Sequence, residues 1–95
     1  MHTLRIEHSI RDFDAWRESF DRDPLGRERS GVRRYRVQRP IDDANYVAID
    51  LDFDGATDAQ NFLDELNKMW PRAEASGLIG SPQVRIVETV ESTEY

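Results

Sequence analysis

Asp50-Leu51-Asp52-Phe53-Asp54-Gly55 sets carboxylates at every second position and then a glycine, which is how the calcium loop of an EF-hand begins. Cation binding of that kind needs a bidentate glutamate at the twelfth loop position, which here is Asn61. Leu51 and Phe53 continue an alternation begun by Val47 and Ile49, so the run reads as a strand with aspartates on one face. No metal site is expected.

The two histidines are His2 and His8. His8 alternates with Leu4, Ile6 and Ile10, which aims a group that titrates near neutral pH into an apolar layer. It is therefore the candidate catalytic residue, as a general base. A neutral histidine hydrogen-bonded within the core would have the same pattern. Trp16 and Trp70 fall on the apolar stripes of two helical segments, where indoles either wall a ligand pocket or fill a core. Tyr35 offers a phenol from the same side of its strand, or else caps the core rim.

Other chemistries lack their residues. The chain has no cysteine, which rules out disulfides, thiolate metal sites and cysteine nucleophiles. It has no glycine-rich phosphate loop, no Ser-His-Asp order and no His-x-x-x-His pair, so no cofactor is implied. An enzyme built this way would exploit its substrate's own reactivity, the protein supplying orientation and proton transfer.

The elements that must position these residues follow from periodicity. Residues 3–10 alternate as a strand. Phe13, Trp16 and Phe20 then form a helical stripe opened by Asp12 and Asp14 and closed at Asp23-Pro24. Residues 32–39 and 46–53 alternate again around the loop Pro40-Ile41-Asp42-Asp43-Ala44-Asn45, predicting a hairpin. A second helix is expected from a capping box at Thr57, with Gln60 three residues on, and Pro71 ends or kinks it. Residues 83–91 read as a fourth strand with Val84, Ile86 and Val90 on one face. The order βαββαβ predicts a ferredoxin-like α+β domain over residues 1–95: a four-stranded antiparallel sheet with both helices on one face.

The opposite sheet face would carry Arg5, Arg34, Asp50 and Asp52. Keeping like faces together across the hairpin leaves two registers, one setting Arg34 opposite Asp50 and the other opposite Asp52. Such a face is either solvated or packs against a second sheet. Arginine suits the second role, and twelve of the thirteen basic residues are arginine.

Charge is uneven: residues 1–40 hold ten basic and seven acidic residues, residues 41–95 three and twelve. The arginines are interleaved with acids and the net charge is -6, which argues against nucleic acid as a partner. No apolar run approaches the ~20 residues that span a bilayer, and the N-terminal residues lack the apolar core of a signal peptide. A cytoplasmic, membrane-free protein is the expectation.

With these elements in place, the opening strand running into Arg11-Asp12-Phe13-Asp14-Ala15-Trp16, the segment Ser30-Gly31-Val32-Arg33-Arg34-Tyr35, the run from Tyr46 to Leu66 and the final Ser81-Pro82-Gln83-Val84-Arg85 resemble the dimeric α+β barrel superfamily. The likeness is to its antibiotic-biosynthesis-monooxygenase-like and cyclase-labelled small members. It implies a homodimer joined through the sheets, with Arg5, Arg34, Asp50 and Asp52 at the interface, and a ligand pocket in each subunit between sheet and helices. Haem-degrading members bind iron through a histidine after a tryptophan of the second helix, and none follows Trp70. The oxygenase branch uses an asparagine and a tryptophan one turn apart, for which Asn67 and Trp70, three residues apart, are the candidates here.

Two functions follow as expectations. One is a cofactor-independent monooxygenase or cyclase acting on a polycyclic or aromatic, polyketide-like molecule, with His8 as base and Trp16, Tyr35, Asn67 and Trp70 binding substrate. The other is a non-catalytic ligand-binding or accessory dimerisation domain. A cavity of roughly 300 Å³ or more reaching His8 would favour the first, and a filled core the second.

Overall fold

The computed structural model describes residues 1–95, with elements β1 His2–Ser9, α1 Phe13–Asp21, β2 Val32–Gln38, β3 Tyr46–Phe53, α2 Ala56–Ala75 and β4 Gln83–Glu88. The sheet order is β2-β3-β1-β4, every neighbouring pair antiparallel. This is the ferredoxin-like arrangement expected from the element order. Leu4, Ile6, Ile49, Leu51 and Phe53 join Trp16 of α1 and Phe62 and Leu63 of α2 in one core, so both helices cover the same sheet face. No helix is long and apolar enough to cross a membrane.

Asp12 caps α1: its backbone is extended and its carboxylate accepts the Ala15 N–H at 3.1 Å. The second helix departs from expectation at both ends. It begins at Ala56 behind Gly55, which makes no side-chain cap, so Thr57 already lies inside the first turn. Phe53 anchors the end of β3 in the core, and the bend at Asp54-Gly55 turns the chain into the helix before Thr57 is reached. Pro71 removes a backbone donor but does not end the helix, which continues to Ala75. There Gly77, at φ +79°, closes it: Gly77 N–H bonds the Glu74 carbonyl and Leu78 N–H the Ala73 carbonyl, the two bonds of a Schellman motif.

The hairpin adopts the register with Arg34 opposite Asp52 and Arg36 opposite Asp50. A bulge at Arg33 shifts the pairing so that Val32 meets Phe53, and Arg33 bonds Asp54 instead, Nη2 to Oδ2 at 2.7 Å. The fourth strand stops at Glu88, short of the expected residue 91: its last ladder pair is His2 with Glu88, and one more bond, Thr89 N–H to the Met1 carbonyl at 3.0 Å, closes the end. Val84 and Ile86 share the helix-side face with Ile6 and Leu4, whereas Val90 lies beyond the strand, 88% exposed.

Candidate functional site

A cavity of about 140 Å³ lies between the sheet and the two helices. Its floor is β1 and β3, through Ile6, His8, Ile49 and Leu51; α1 contributes Trp16 and Phe20 and α2 contributes Leu66 and Trp70. The core is therefore not filled, but the space is less than half the ~300 Å³ at the lower end of drug-sized ligand sites. An apolar cavity of about 150 Å³ accommodates a benzene ring. The enclosed volume thus suits one ring.

His8 is 3% exposed and lines this cavity. Its Nδ1 lies 2.9 Å from the Ser9 carbonyl oxygen. A carbonyl only accepts, so Nδ1 carries the proton in that contact and Nε2 keeps its lone pair in the neutral ring. Nε2 makes no hydrogen bond within the chain and is not sealed from solvent, and the His8 side chain lines the cavity. Burial lowers the imidazole pKa below its ordinary value, and the hydrogen bond to Ser9 only partly opposes this. The result is a neutral, acceptor-competent imidazole at pH 7.

An aromatic ladder runs along one wall. The His8 ring meets Trp16 edge-on at 6.4 Å, Trp16 stacks on Phe20 at 5.0 Å, and Phe20 meets Tyr35 edge-on at 5.3 Å. Spacing of four on α1 places Trp16 and Phe20 one turn apart on the buried stripe. At the far end the Arg27 guanidinium lies over Phe20, 3.9 Å from its centre, and 4.9 Å from that of Tyr35.

Of the residues expected at the site, His8, Trp16 and Trp70 converge on the cavity. Tyr35 is on the helix side of β2, opposite Leu51, but this is an edge strand and the side chain is 43% exposed, outside the lining. Asn67 is exposed on α2 and also outside it; three residues before Trp70, it turns to solvent as Trp70 turns inward. Ser19, Asp23 and Arg27, which the sequence does not single out as site residues, form part of the cavity wall. Their spacing of four marks a shared side only within a continuous helix, and α1 ends at Asp21, before Asp23 and Arg27.

On the opposite sheet face, Arg5, Arg34, Asp50 and Asp52 do come together. Asp50 receives Arg5 Nε at 3.2 Å and Arg36 Nη2 at 3.0 Å. Asp52 accepts the Thr3 hydroxyl at 2.6 Å and lies 3.3 Å from Arg34 Nε. Arginine stems lie across the sheet, leaving the aspartates only 8% and 7% exposed while the guanidinium ends remain accessible. Arg85 sits opposite Arg5 across the β1–β4 pair and has no ion-pair partner. A hollow of about 300 Å³ beside these residues is larger than the inner cavity and is lined mainly by polar side chains.

No protein-family model matches the chain, and no curated protein matches it. Solved structures do share its fold. A protein of Deinococcus radiodurans provisionally named an antibiotic biosynthesis monooxygenase superposes with a TM-score of 0.78 over 100% of this chain and 98% of its own, at 11% identity. SnoaB of Streptomyces nogalater, a cofactor-independent oxygenase, gives 0.72 over 96% and 94% at 15% identity. A dimeric ferredoxin-like protein from an uncultured marine organism gives 0.71 over the full length of both chains at 7% identity. At these identities the likeness extends to the fold.

Proposed function

We propose that this protein binds a small molecule with a single-ring body between its sheet and helices and acts on it as a cofactor-independent monooxygenase. The observation that carries the proposal is a buried, neutral His8 with an unbonded Nε2 in the lining of an apolar cavity walled by Trp16 and Trp70. A base in that position takes a proton from a carbon activated by an adjacent carbonyl or phenol. The resulting carbanion is electron-rich enough to reduce dioxygen, the co-reactant. Conversion of a CH₂ group and O₂ to a C=O group and water balances without a metal or flavin. The fold likeness to SnoaB supports this class of reaction. The size of the cavity favours a smaller substrate than the polycyclic one expected from sequence.

The same cavity fits a second reading, a binding domain without turnover, because Nε2 has no hydrogen-bond partner within the chain to which it could pass a proton. Small molecules that co-purify with the native protein, identified by mass spectrometry, separate the two when returned to the protein under oxygen-uptake measurement. Oxygen consumption by wild type and its loss in a folded His8→Gln protein is the expected result. Turnover retained in His8→Gln removes His8 as the base, and a ligand bound but not consumed favours the binding domain.

For assembly, we infer a homodimer through the face bearing Arg5, Arg34, Asp50 and Asp52. Its ion pairs are already formed within each sheet, so a second sheet would not bury uncompensated aspartates, and Arg85 is left free for a group on the partner. That a protein of the same fold is dimeric supports a dimer here.

A further inference from the structure

The mouth of the cavity is built from polar groups that a base and aromatic walls leave unused. Ser19 stands near the end of α1, and Asp23 and Arg27 follow at spacings of four; all three line the cavity and are partly exposed. Asp23 takes φ +49°, a left-handed conformation that aspartate tolerates better than most residues. The turn this makes brings Arg27 back over the helix. Its backbone N–H donates to Asp23 Oδ1 at 2.9 Å, and its Nη1 donates to the Phe20 carbonyl at 2.9 Å. The side chain is thereby held 14% exposed.

Clamping the loop accounts for only part of what these two residues offer. Arg27 Nη1 lies 3.6 Å from Asp23 Oδ1, too far for a hydrogen bond. Arg27 Nε and Nη2 donate to nothing within the chain, and Asp23 Oδ2 accepts nothing. Neither set is sealed from the outside. A donor edge and an acceptor therefore stand side by side at the entrance to an apolar cavity.

Such a pair discriminates by charge and by hydrogen-bond pattern. A ligand without a polar head displaces water from both groups and leaves them unpaired. A carboxylate satisfies Arg27 but opposes Asp23, and an ammonium group does the reverse. We propose that Asp23 and Arg27 form a head-group subsite selecting a neutral, adjacent acceptor and donor, such as a primary carboxamide or a hydroxy-substituted carbonyl, on the single ring lodged in the cavity. The ring's carbonyl accepts from Arg27 and its N–H or O–H donates to Asp23, with the unbonded Ser19 hydroxyl free to orient toward either. The subsite rests on the reading of the cavity as a ligand site.

Three probes of similar body test it: benzamide, benzoate and ethylbenzene. Binding is followed through the indole N–H NMR signals of Trp16 and Trp70, both in the cavity wall. Benzamide should bind about tenfold more tightly than either of the others, and Arg27→Lys, which keeps the charge but removes the fork, should bring it near ethylbenzene. Asp23→Asn keeps an acceptor for the Arg27 backbone N–H and should tighten benzoate binding several-fold. A damaged fold cannot produce that gain. Equal affinity for the three probes, or no gain for benzoate in Asp23→Asn, overturns the head-group subsite while the cavity remains a ligand site. If no probe moves either indole signal, the ligand-site reading fails and the subsite fails with it.

Discussion

Acidification should destabilise this protein through His8, by an amount bounded by one proton. In the unfolded chain the imidazole titrates at its ordinary 6.5, whereas burial between β1 and α1 lowers that value in the fold. Between the lowered pKa and 6.5 the unfolded state binds the proton and the folded state does not. Stability therefore rises with pH through that window and is flat above it. At pH 5.5 the loss reaches about 1.4 kcal/mol if His8 stays wholly neutral in the fold, and is smaller to the extent that it takes up the proton. For a domain of this size that is a fall of roughly 5–10 °C in Tm. The measurement is urea unfolding at pH 7.5, 6.5 and 5.5, at one protomer concentration, for wild type and His8→Gln. Glutamine keeps a donor for the Ser9 carbonyl and does not titrate, so the difference between the proteins isolates His8 from His2, whose Nε2 lies 3.6 Å from Glu88. Wild type should lose stability relative to the variant as pH falls. A difference constant with pH, or a relative gain by wild type on acidification, would refute the argument, since the latter means the fold holds His8 charged.

Two further outcomes concern the opposite sheet face. Asp52→Ala strips the acceptor from the Thr3 hydroxyl and the nearby Arg34, and should cost about 1–3 kcal/mol in chemical denaturation; a change within experimental error would mean the buried carboxylate contributes nothing net. Sedimentation at micromolar concentration should give a species of twice the 11.1 kDa chain, shifted toward monomer by Arg5→Glu, which sets a second carboxylate beside Asp50; a monomeric wild type would end the sheet-to-sheet proposal.

Alternation along Leu4, Ile6 and His8, and along Val47, Ile49 and Leu51, was enough to read the strands, their faces and the inward aim of His8. Side-chain direction in a strand has period two regardless of what the strand packs against. Periodicity on the helices likewise placed Trp16 and Trp70 on buried stripes. The same reasoning put the arginines and aspartates of β1, β2 and β3 on one face, but it left two registers open. A register is settled by the whole ladder, here including the bulge at Arg33 that no local pattern announced.

What the sequence by itself determined, then, is what repeats along the chain: element type, element order and the face each side chain takes. Only the tertiary structure decided how much space the faces enclose and which loop closes it. A cavity is the small remainder between packed volumes, so its 140 Å³ depends on every neighbouring side chain at once. The mouth depends on one left-handed residue, Asp23, that folds Arg27 back over Phe20. The start of α2 was likewise set by where β3 ends in the core, which overrode the capping residues at Thr57 and Gln60. Local preferences there are worth about 1 kcal/mol, less than the burial of Phe53 against Phe62 that fixes the turn between them.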